Sequence, residues 1–162
     1  MAEVSTLLMR IADYKGTSKV VGYDGWIVLK SLDTAFYANV NLNGTGSVAV
    51  GGPEMDCITF SKTQDGTDLK INMAMFGSTI FPKVEFVKVV ETNTSKFIAE
   101  EVVATNFAFT SANKTISNDG EAEIEYRAVC SAVRLLGHEV NDEGKLVKFG
   151  PVGYDFSAGK KM

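Results

Sequence analysis

The segment Val84-Glu85-Phe86-Val87-Lys88-Val89-Val90 constrains the fold of this 162-residue chain more than any other. Side chains alternate between the two faces of a strand. Val84, Phe86 and Val90 therefore share one face, while Val87 and Val89 make the other face apolar too. A strand with one wet face alternates apolar and polar residues more cleanly. This one needs cover on both sides: from a helix, from the far wall of a closed barrel with a neighbour outside, or from a partner subunit.

The rest of the chain is also strand-rich. Residues 6–11, 26–32 and 35–40 read as the first three strands. Asn41 to Pro53, with Gly44, Gly46, Gly51 and Gly52, reads as a long loop or arm, because clustered glycine weakens regular structure. Val48 and Val50 alternate within it and could pair as an edge strand. Residues 55–60 resume strand character. Leu69, Met73 and Phe76 then fall at i, i+4 and i+7, which predicts one short helix over about 67–76, started near Asp65 or Thr67 and ended by Gly77. Phe97 to Phe109 reads as a strand pair or one long bent strand. Glu121, Glu123, Glu125 and Arg127 alternate with Ala122, Ile124, Tyr126 and Ala128, a strand with one solvated side that could run on toward Leu136. Asn141-Asp142-Glu143-Gly144 reads as a turn. One domain over 1–162, mainly β, fits this pattern: a single β-barrel or sandwich with one short helix and one extended loop, the closed barrel being the expectation taken forward.

Several functions are excluded or unsupported. With 16 Lys+Arg against 20 Asp+Glu, the net charge of −4 offers no footprint for nucleic acid or an anionic membrane. Apolar runs are too short for a membrane-spanning helix, and Arg10 interrupts the first of them, so membrane insertion and a secretory signal peptide are not expected. Cys57 and Cys130, 73 residues apart and without a CxxC, are expected as free thiols, and no metal or other cofactor is expected. The single histidine, His138, is expected in an exposed loop and not in a catalytic triad. Gly44-Thr45-Gly46-Ser47-Val48-Ala49 matches a G-x-G-x-x-A phosphate loop, but Gly51-Gly52-Pro53 follows where the mechanism needs a helix. The adjacent carboxylates Glu100-Glu101 and Asp142-Glu143 fit no metal-loop spacing. No catalytic residues emerge, and an enzyme is not expected.

In order along the chain, Leu8-Met9-Arg10-Ile11, Lys15-Gly16-Thr17-Ser18, Gly25-Trp26-Ile27, Phe60-Ser61-Lys62 with Asp65, Phe81-Pro82, Asp142-Glu143-Gly144 and Gly150-Pro151-Val152-Gly153-Tyr154-Asp155 carry a family resemblance. This series resembles the haemolysin-coregulated protein (Hcp) family, the tube subunits of bacterial type VI secretion systems. Thr17 stands where that family has an acidic residue.

The resemblance implies a barrel protomer closing into homohexameric rings that stack into a tube. It further implies sheath, spike and effector proteins as partners, and a cytoplasmic protein exported to the extracellular space or a target cell. On this reading Asn43, Gly44, Gly46, Val48, Val50, Gly51 and Gly52 of the arm, with Trp26, Val87 and Val89, lie at subunit or ring-stacking interfaces. The alternative is a small monomeric β-barrel binding a ligand in its interior.

Overall fold

A computed structural model describes residues 3–42, 44 and 46–162. Ten strands and one helix follow one another: β1 (Val4–Ile11), β2 (Ile27–Leu29), β3 (Ser31–Leu42), β4 (Val48–Thr63), α1 (Thr67–Phe76), β5 (Phe81–Glu91), β6 (Lys96–Thr115), β7 (Glu123–Val129), β8 (Ala132–Val140), β9 (Leu146–Asp155) and β10 (Lys160–Lys161). All strand pairings are antiparallel.

The long strand β6 organises the molecule. Its first half lies between β5 and β8, within the order β10-β9-β8-β6-β5-β1-β2. Its second half, from Ala108, pairs instead with β7, which leads to β4 and β3. Phe97 to Phe109 is thus one strand changing partners, not a pair. Between the two layers Phe60, Phe86, Phe107, Phe109 and Tyr126 pack ring to ring, with centroids 5.0–6.0 Å apart. The alternation across 121–128 places Ile124, Tyr126 and Ala128 in this core. That strand does not run on to Leu136, because the chain breaks at Cys130-Ser131 before β8.

The expected closed barrel is not formed. Closure needs β2 to pair along β4, but β3 already holds that edge from Ser31↔Ser61 onward. The Lys30 backbone N–H, donating to the Ser61 carbonyl at 2.8 Å, crosses the seam in place of a ladder.

In the arm the edge-strand option holds over the loop. The segment is mostly a two-stranded ladder, with Val40 opposite Val50 and Leu42 opposite Val48. Gly51 and Gly52 together face Asn39, so the glycines mark a bulge within the ladder and do not break it.

What covers the second face of β5 is the chain's own 14–26 segment. Val87 and Val89, 2% and 3% exposed, pack with Leu8 beneath Val20, Tyr23 and Trp26. Val84 and Phe86 face the main core. Gly16 permits this cover: a Cβ there would lie 2.4 Å from the Trp26 carbonyl oxygen. The Gly16 N–H donates to Gly25, and the Ser18 N–H to Trp26, at 2.7 and 3.0 Å. Lys96 Nζ donates to the Val21 carbonyl at 2.6 Å, and Arg10 stacks 5.9 Å from the Trp26 ring.

Candidate functional site

The helix occupies the predicted residues but turns its apolar face outward. Leu69, Met73 and Phe76, spaced as for a core face, are 68%, 73% and 81% exposed. Ile71 and Ala74, on the opposite side, enter the core instead.

A buried polar cluster secures the start of α1. Lys62 sits on the inward face of β4 in register with Ile124, and its side chain is fully buried. Its ammonium donates to Asp68 Oδ2 at 2.7 Å and to the Thr63 carbonyl at 3.1 Å, and lies 3.1 Å from Asp65 Oδ1. Asp68 Oδ1 accepts from the Tyr126 hydroxyl at 2.6 Å, and Asp68 Oδ2 accepts from the Asp65 backbone N–H at 2.7 Å. Asp65 in turn accepts from the Thr67 N–H at 2.8 Å and from the Thr67 hydroxyl. The cluster joins β4, β7 and α1, and every donor and acceptor named has a partner. Burial opposes ionisation of Asp65, but the Thr67 hydrogen bonds and the Lys62 charge outweigh it and hold its pKa below the usual value. Burial, with the hydrogen bond to Asp68, raises the Tyr126 pKa. The motif Phe60-Ser61-Lys62 with Asp65 points to this place, whereas the sequence marks Asp68 only as a first-turn acid and Tyr126 only as a core-face residue.

The expected interface residues divide into two groups. Gly44, Gly46, Val48, Val50, Gly51 and Gly52 lie together on the arm, exposed. Asn43 lies outside the described residues. Trp26, Val87 and Val89 lie elsewhere, inside the cluster under the 14–26 segment, with Trp26 edge-on to Tyr23 at 5.1 Å. From Ala38 to Pro53 the arm carries no charged residue. Sheet edges are ordinarily protected by charge, proline or short length. Here β3 runs 12 residues and has no strand on its second edge among the described residues. The second half of β6, paired with β7, has another such edge.

His138 is not in an exposed loop. It sits half-buried in β8 opposite Lys148, and its Nδ1–H donates to the Ile98 carbonyl at 3.0 Å. Cys57 and Cys130 are free; burial pushes the Cys130 thiol up to about 11, and it points at the Met55 sulfur 3.3 Å away. Among the described residues no group of three or more His, Cys, Asp and Glu could hold a metal ion, and no helix is long and apolar enough to cross a membrane.

No protein-family model and no curated protein matches the sequence. Solved structures do match in shape. One described as a type six secretion system protein superposes with a TM-score of 0.88 at 18% identity, covering 98% of this chain and all of that one. Hcp1 from Salmonella typhimurium gives 0.75 at 14% identity, over 98% and 99%. A mutant form of Hcp1 from the E. coli pathovar EAEC 042 gives 0.71 at 13%, over 94% and 97%. This chain has the Hcp fold: mainly β, with one short helix.

Proposed function

We propose that this chain is a structural, ring-forming tube subunit of a type VI-type secretion machine. The observation that carries the reading is the whole-length match to Hcp structures. An exposed, charge-free arm and two free edges on one four-stranded layer support it. The two edges differ, one being β3 and the other the second half of β6. Pairing them between copies is a head-to-tail contact, which closes into a ring when the rotation permits. On this reading six copies form the ring, and rings stack through the arm. Sheath, spike and effector proteins are the further partners. The protein is made in the cytoplasm and leaves through the machine to the extracellular space or a target cell, carrying effectors. Trp26, Val87 and Val89 then serve assembly by holding the 14–26 cover in place. An interior ligand, the alternative, would have to displace the aromatic rings that fill the space between the layers.

Native mass spectrometry and negative-stain imaging of the purified protein test this. Six-membered rings are the expected result; a strict monomer at high concentration overturns it. Deleting residues 44–52 should weaken ring stacking or assembly and leave the rest of the chain folded, read as a retained cooperative unfolding transition.

A further inference from the structure

The outward face of α1 is the apolar surface with the least reason to be exposed in a solitary chain. Leu69, Met73 and Phe76 are exposed on α1, and Ile80, just past the turn that ends the helix, is itself 63% exposed. A buried aromatic side chain covers roughly 150–250 Å², and aliphatic ones less. The four together therefore expose on the order of 400 Å² of apolar surface, within the range of a monomer's largest patch, which is often functional. The same chain carries a concave apolar surface elsewhere. Between β3 and the β8–β9 hairpin, a cavity of about 420 Å³ is lined by Leu32, Leu135, Phe149 and Val152 among others. It continues through Leu135 and Val152 into a second of about 270 Å³ that reaches Phe36 and Tyr154.

We propose that the α1 stripe of one copy seats in this groove on a second copy, so that each subunit offers one convex and one concave apolar surface. Within one chain the stripe cannot reach the groove, because Ile71 and Ala74 on the other side of α1 are held in the core. The area decides for a second copy over a small ligand. The stripe supplies about half of the roughly 800 Å² per partner that a standard interface buries, more than a small ligand would cover. Charge agrees with this pairing: exposed Lys70 stands beside Leu69 on α1, and exposed Glu100 lines the groove. The contact joins two different patches, so it propagates head to tail, as ring closure requires. The inference rests on the self-assembly reading above and adds an apolar side-chain contact to the strand-edge pairing between neighbouring copies proposed there.

The test pairs Met73→Cys with Phe149→Cys in a Cys57→Ser background, under mild oxidation. A ladder of covalent multimers is expected, with neither single variant giving one. Met73→Asp and Phe149→Asp, checked for folding by circular dichroism, should each raise the concentration needed for assembly by about tenfold or more, since tenfold corresponds to only about 1.4 kcal/mol. Normal assembly of both aspartate variants with no ladder overturns this interface and leaves the ring reading standing. A wild-type protein that stays monomeric removes both.

Discussion

Replacing Lys62 with methionine isolates what the buried cluster contributes. The substitution keeps an unbranched side chain of similar length and removes three interactions, with Asp68 at 2.7 Å, Asp65 at 3.1 Å and the Thr63 carbonyl at 3.1 Å. The Asp68 carboxylate then keeps the Tyr126 hydroxyl and the Asp65 N–H, but no cation. Removing one member of a buried ion pair typically costs about 3–5 kcal/mol, because the other charge is left uncompensated. For a chain of this size each kcal/mol shifts Tm by about 2–4 °C, so the expected fall is roughly 6–20 °C.

The assay is urea unfolding followed through Trp26 fluorescence, at one fixed protein concentration because assembly would otherwise shift the midpoint. A control separates the charge argument from simple loss of packing. Lys62→Met/Asp68→Leu/Tyr126→Phe removes the Lys62–Asp68 pair and the hydroxyl together, leaves the Asp65 carboxylate its Thr67 hydrogen bonds, and should recover part of the lost stability, since a buried pair is often no better than an apolar replacement. A loss below about 1 kcal/mol in the single variant would refute the assignment of a dry, uncompensated site. A triple variant no more stable than the single one would refute the charge explanation.

Three further outcomes follow from the same geometry. Asp65 has a lowered folded pKa, so its contribution is complete above the ordinary carboxylate value and is lost as pH falls through the folded one; Asp65→Asn should flatten acid unfolding monitored below about pH 4. Tyr126 has a raised folded pKa, so its contribution is complete below about pH 10 and declines above it. Tyr126→Phe should therefore reduce the alkaline loss of stability by up to about 1.4 kcal/mol per pH unit, read from urea midpoints between about pH 10 and 11. Gly16→Val places a side chain against the Trp26 carbonyl and should cost about 1–3 kcal/mol, with a red shift of Trp26 emission as the 14–26 cover lifts.

Most of the architecture is legible in the sequence because strand alternation reports directly on burial. Ile124, Tyr126 and Ala128 face the core as their spacing indicates. The helix shows where such reasoning stops. The spacing of Leu69, Met73 and Phe76 locates a helix and one apolar face, but a period carries no information about what that face meets. The buried side is marked by Ile71 and Ala74, with Met75 partly buried beside them and Asp68 as its charged anchor. A buried aspartate looks like a surface residue until its partners are known, and Tyr126 lies 58 positions away. The arm takes the edge-strand option of its sequence reading and not the loop, for a related reason. Glycine lowers strand propensity locally, yet Val40, Leu42, Val48 and Val50 sustain the ladder, and Gly51-Gly52 is absorbed as a bulge. The second face of β5 has to be covered, but nothing local names residues 14–26 as the cover.

The outward stripe and the buried cluster explain each other. A helix of ten residues is too short to be stable by itself. Amphipathic helices normally gain their stability by turning the apolar face to the core. Here the inner side offers Ile71, Ala74 and the partly buried Met75, and the ion pair with Tyr126 supplies the remaining anchorage. That arrangement fixes the orientation of α1 and leaves Leu69, Met73 and Phe76 for another surface. Local and global preferences then agree only when the stripe is covered. Folding of the α1 region and self-association should therefore be coupled. The melting temperature should rise with protein concentration in the wild type, by mass action, and much less in Met73→Asp. A melting temperature independent of concentration, in a protein whose α1 amides resist hydrogen exchange as monomer, would show that the polar anchor suffices alone and that the stripe has no part in stability.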